Sequence, residues 1–219
     1  MKSAVGFRVV LIVLALILGC YGVASTVAEL DTAVRPTFPN DPSNISAPAG
    51  AASVWPGGIP LFRSDLKSNH ALIVTLQAIQ HGVTLTGSAE GDRARSRAVR
   101  TLSAAPYDAE LWLAMALLEA QRDPNGPGVI EALKMAYFTG PNDLRLLPMR
   151  LDTATAGDAL IDPDLADLAQ GDVRLMLTRL PEMKSSLELS YRRASKRGRA
   201  FLEQAVQTID PTFLATLRK

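Results

Sequence analysis

Residues Val9–Ala28 run for 20 residues without a charged side chain, and their centre, Val9–Leu18, contains only Val, Leu, Ile and Ala. At about 1.5 Å per residue, a helix of that length reaches roughly 30 Å, the hydrocarbon thickness of a bilayer. A helix is also the one single segment that satisfies its own backbone in such a medium. Lys2 and Arg8 stand on the short N-terminal side, which predicts that this end stays cytoplasmic and the remainder is exported. The expectation is a single-pass inner-membrane protein, held by residues 9–28, with its body in the periplasm.

Three fates of this segment are compatible with its residues. It is kept as an anchor (residues 1–28), cut at the small residues Gly22-Val23-Ala24, or lipidated at Cys20, where Ile17-Leu18-Gly19-Cys20 is similar to a bacterial lipobox. The following stretch, 29–62, carries Pro36, Pro39, Pro42, Pro48, Pro56 and Pro60 among small and polar residues. Proline at that density removes amide donors and stops helices, so the stretch predicts an extended tether, with Trp55 and Phe62 as candidate docking points.

Residues 63–219 read as an all-α domain. Ser64 caps a helix carrying Leu66, Ile73, Leu76, Ile79 and Val83 that ends near Gly87. The next runs from Asp92 to Ala104 with Ala94, Ala98, Val99 and Leu102 inward. Asp108 opens a third, in which Leu111, Trp112, Met115 and Leu118 recur at helical spacing, and Pro124-Asn125-Gly126-Pro127 stops it. A fourth covers Gly128–Thr139 and is followed by one reaching Ala154. Further helices are predicted over Pro163–Leu180, Pro181–Ser195, Arg199–Thr208 and Pro211–Leu217.

Two helix junctions repeat: Ala-Ala-Pro106-Tyr-Asp and Thr-Gly-Pro141-Asn-Asp lie 35 residues apart. Trp112 and Ala116 follow the first, and Ala94 and Ala136 precede the two prolines at small-residue positions. On these residues the segment Ala94–Asp143 resembles a tetratricopeptide repeat, in which small residues let paired helices approach and proline ends the second. Ile209-Asp210-Pro211 echoes the same ending. Glu119 stands where that family has a large aromatic, and Arg150 where it has an apolar residue. The resemblance implies a non-catalytic scaffold of helical hairpins with a groove for a protein partner, lined by Glu110, Leu111, Ala114 and Leu117, while Trp112 and Met115 belong to the core. The members it looks most like are membrane-anchored bacterial envelope proteins, including helpers of polysaccharide biosynthesis and export.

Motifs for chemistry are absent. One cysteine excludes an intrachain disulfide, and no Gly-x-Gly-x-x-Gly, P-loop or Gly-x-Ser-x-Gly occurs. His70 and His81, eleven residues apart on one helix, stand about 16 Å apart along its axis, too far to share a metal. Asp158, Asp162, Asp164, Asp167 and Asp172 do not follow a calcium loop, since its sixth position, counted from Asp162, is Asp167 rather than glycine. Helix capping accounts for Asp158, Asp162 and Asp172. The sequence therefore predicts no enzyme, cofactor or metal, and an envelope hydrolase would require a pocket of convergent carboxylates.

Charge is balanced overall, 23 basic against 22 acidic residues, which argues against a nucleic-acid partner. It is unevenly placed, however. Residues 152–172 hold six acids and no base, and 174–199 are strongly basic. Arg192, Lys196 and Arg199, with Arg193 and Arg197 alongside, and Arg93, Arg97 and Arg100 earlier, recur at helical spacing. Two readings stand: a surface for a polyanion such as an acidic polysaccharide or lipid head groups, or blocks that neighbouring helices pair with each other.

Overall fold

Helix starts in this chain are written as a side-chain oxygen placed three residues ahead of an unpaired amide. Asp108 accepts from the Leu111 amide (3.0 Å), Asp162 from Leu165 (2.9 Å), Ser195 from Gly198 (3.1 Å) and Asp210 from Phe213 (3.3 Å). Pro127, Pro163 and Pro211 occupy the first turn, where a missing N–H costs nothing. The structure is a computed structural model that describes residues 2–32, 35–39, 41, 44–45, 64–81 and 89–218, with side chains at 7–8, 10–23 and 26 of the first helix and from Lys67 onward in the second.

The described helices are α1 (Lys2–Thr32), α2 (Ser64–His81), α3 (Ala89–Ala104), α4 (Ala109–Arg122), α5 (Pro127–Thr139), α6 (Leu147–Ala156), α7 (Pro163–Thr178), α8 (Lys184–Arg193), α9 (Lys196–Ile209) and α10 (Pro211–Leu217). Single 3₁₀ turns precede α6, α7 and α8, and there is no strand among the described residues. The fold is all-α. Segment 46–63, with Trp55 and Phe62, lies outside the described residues, as do Val83, Gly87 and the side chain of Leu66.

The chain divides into two compact units, Met1–Arg35 and Pro36–Lys219. In the first, α1 extends past Ala28 to Thr32, and every side chain from Val10 to Val23 is exposed. Among the described residues no helix is long and apolar enough to cross a membrane. The unbroken stretch with described side chains, 10–23, spans only about 21 Å at helical rise.

In the second unit, α2 packs on α3, α4 on α5 and α6 on α7, while α2 meets α4 and α4 meets α6. Connections of four residues between α3 and α4, and between α4 and α5, force neighbouring helices to fold back on each other. Alanines make the close approaches: Ala94, Ala98, Ala114, Ala116 and Ala136 are fully buried, whereas Val99, expected inward, is exposed, one residue past the buried Ala98 on the α3 turn. Helices α8, α9 and α10 cover the far end, α8 on α6 and α9 on both α6 and α7.

Part of the proline-rich stretch belongs to this unit instead of forming a tether. Pro36 and Phe38 are buried, and Ile45 packs against the core and accepts a hydrogen bond from Gln80 Nε2 (2.9 Å). Phe38 supplies the reason: burying an aromatic side chain outweighs the freedom of a short extended segment.

Candidate functional site

Helix α4 carries eight consecutive apolar residues, Leu111–Leu118, and is enclosed by α2, α3, α5 and α6. The groove expected on its face is therefore corrected. Glu110, Leu111 and Ala114 are buried, and Leu117 is half-buried against the core. Glu110 lies 3.3 Å from Arg145 Nη2. Met115 is core as expected. Trp112 is half-buried, with its indole N–H donating to Pro106 O at 2.8 Å.

The acidic and basic blocks meet through folding. Arg193 lies 3.4 Å from Asp152 and Arg197 3.8 Å from Asp158, while Lys134 holds Asp162 (3.1 Å) and Asp164 (2.7 Å). Arg199 donates to Arg192 O (3.0 Å) and lies over the Tyr191 ring. The Arg192–Arg199 stripe is also not one helical face, because α8 ends at Arg193 and Ser195 caps α9. Arg192 and Lys196 thus stand on separate helices and are exposed.

A second cluster is one that sequence reasoning misassigned. Asp172 is no cap. It sits inside α7, buried, 3.1 Å from Arg150 Nη2. Arg150 is 0% exposed, donates to Gly140 O (2.8 Å) and lies 4.3 Å above the Tyr137 ring. Burial pushes the Asp172 carboxyl up to about 6 against the opposing pull of Arg150, and pushes the Tyr137 hydroxyl well above its ordinary range. The Tyr137 hydroxyl and Asp172 Oδ2 are neighbours, yet neither is in hydrogen-bonding geometry. Asp158, likewise, caps nothing with its side chain; Asp162 does cap. The signal available in the sequence was Arg150 at an apolar position, which demands a buried acid somewhere.

Of the three other basic positions singled out in the sequence, Arg97 and Arg100 converge with α2. A cavity of about 360 Å³ lies between α2 and α3, lined by Lys67, His70, Arg97, Arg100, Thr101, Ala104 and Ala105. Arg97 Nη1 donates to His70 Nε2. Arg93 is on the same helix, exposed and outside the lining. His81, at the end of α2, is instead 3.8 Å from Glu90. Among the described residues, no group of three or more His, Cys, Asp or Glu side chains gathers to hold a metal ion. Comparison with family models, with curated proteins and with solved structures gives no match to this chain.

Proposed function

We propose that this chain is a membrane-anchored, non-catalytic binding scaffold of a bacterial cell envelope. The carrying observation is α1: from Val10 to Val23 all side chains are exposed, whereas Pro36–Lys219 buries a core of its own. Exposed apolar surface on that scale marks a site of contact with lipid or protein, and the full uncharged run of Val9–Ala28 has the length a bilayer asks for. Lys2 and Arg8 give the orientation, N-terminus inside and the helical unit outside. Pairwise packing of α2/α3 and α4/α5, with buried alanines at the contacts, supports the tetratricopeptide-like reading and with it a protein partner. Polysaccharide biosynthesis or export is the assembly proposed, on that resemblance alone.

Two measurements test the reading. The full-length product stays in the membrane pellet through an alkaline carbonate wash, and replacing Leu14 and Ile17 by Arg releases it. Photo-crosslinkers placed at the exposed Tyr107, Phe138 and Ile161 give one discrete adduct in intact cells. A carbonate-soluble chain refutes the anchor; absence of any adduct from all three positions refutes the scaffold.

A further inference from the structure

We infer that the cavity between α2 and α3 is a binding site for a phosphate group, carried by a small phosphomonoester or by a lipid head group. The argument begins with register. Lys67 and His70 are three residues apart on α2, while Arg97, Arg100, Thr101 and Ala104 recur at i, i+3, i+4 and i+7 on α3. Packing α2 against α3 turns two separate stripes into one lining.

That lining holds three permanent cations, an imidazole and a hydroxyl, with no carboxylate. Elsewhere on α3, Arg95 pairs with Glu119, and the exposed Arg93 does not line the pocket. Among the described residues, Lys67, Arg97 and Arg100 have no acidic partner, so three exposed like charges border one solvent-open pocket. Such an arrangement is repulsive on its own and becomes favourable when a dianion enters.

The donor set selects the chemistry. Guanidinium forks and an ammonium match the oxygens of a tetrahedral oxyanion, and Thr101 adds a hydroxyl donor. Arg97 donates to His70 Nε2, so that ring nitrogen is an acceptor and the imidazole is held in place behind the arginine. Ala104 and Ala105 keep one wall small, and about 360 Å³ admits an organic group beyond the phosphate itself.

The test is calorimetric titration of the full chain, in neutral detergent micelles, with glucose 1-phosphate and with inorganic phosphate. Saturable binding is expected, and R97Q/R100Q weakens it about tenfold or more. Arg174→Gln, an exposed arginine on α7, leaves affinity unchanged. Circular dichroism and melting of the double variant establish that it is folded. Sodium acetate at matched ionic strength does not displace the ligand, which separates a site from general screening. Repeating the titration in micelles doped with phosphatidic acid distinguishes the sources: competition assigns the head group, its absence assigns the soluble phosphomonoester. No saturable binding up to about 10 mM, a level equal to only a few kcal/mol of affinity, overturns the inference, as does equal weakening by Arg174→Gln. Neither result touches the anchored-scaffold reading, which stands on α1 and the crosslinks.

Discussion

Among the described glycines, Gly198 has the least room for a side chain. It is the third residue of α9, its amide donates to the Ser195 cap (3.1 Å), and a Cβ built there would lie 2.1 Å from Thr155 O and 2.9 Å from Thr155 C. Both obstructing atoms are α6 backbone, so no side-chain rotation relieves them. Restoring an ordinary contact moves α9 off α6 by more than about 1 Å. That movement pulls on the Ser195 amide bond to Thr155 O (3.0 Å) and on the Ser195 hydroxyl bond to Gly157 O (2.9 Å). It also loosens Leu202, Ala205 and Val206, the buried face of α9. Overpacking costs about 1–3 kcal/mol and a strained buried hydrogen bond about 1, against a helix-propensity gain of up to about 1 for alanine. Gly198→Ala therefore destabilises by about 1–3 kcal/mol. Gly171 supplies the opposite sign: it is exposed within α7, with nothing within 4 Å of a built Cβ. Gly171→Ala gains about 0.5–1 kcal/mol from propensity alone. Urea unfolding of the full chain followed at 222 nm measures both. A Gly198→Ala protein as stable as the parent, or two alanine variants that shift together, refutes the packing argument.

Removing one partner of a buried ion pair strands the other, so Arg150→Met costs about 3–5 kcal/mol in the same assay, and adding Asp172→Leu recovers most of it. If the double variant is no better than the single, Asp172 is not the group that Arg150 neutralises. Asp152 is buried, and burial, opposed by Arg193 and helped by Asp41, raises its carboxyl to about 6. The folded state keeps that proton between about pH 4 and 6 while the unfolded chain loses it, so this stability contribution is present below pH 4 and lost as pH rises through 6. Relative to Asp152→Asn, the parent therefore loses up to about 2–3 kcal/mol between pH 4 and 7; a difference that is flat or grows with pH contradicts the assignment.

Local structure was the legible part. The spacing of Asp108 and Asp162 ahead of apolar runs set two helix starts, because capping is decided within four residues. What failed was anything that depends on which helix lies next to which. Leu111 and Ala114 were read as one face of an amphipathic helix, yet Leu111–Leu118 is apolar all round, the pattern of a helix enclosed on every side. Asp172 was read locally, as a cap, because its partner is 22 residues away in sequence. The basic run Arg192–Arg199 looked continuous until Ser195 capped a new helix inside it, on a signal (serine ahead of a glycine amide) too short to outweigh helical spacing. The α2–α3 cavity combined residues noted separately, since His70 and Arg97 are 27 apart.

The buried cluster around Arg150 makes the packing of its helices selective. An apolar side chain at position 150 would contact whatever lay beside it, with no preference for one register over another. Arg150 is selective: its guanidinium must meet the Asp172 carboxylate on α7, the Gly140 carbonyl at the end of α5 and the Tyr137 ring together. Sliding α7 by one turn, about 5.4 Å, would leave a charge stranded in the core. An apolar residue at 150 would tolerate that slip; arginine forbids it. Arg150 therefore fixes how α5, α6 and α7 fit together, where the connections between helices are longer than the four residues that join α3 to α4 and α4 to α5. Beyond that point α8 and α9 are added on α6, at the tight contact between Gly198 and Thr155, so the ordering imposed by one buried arginine is what the end of the domain is built on.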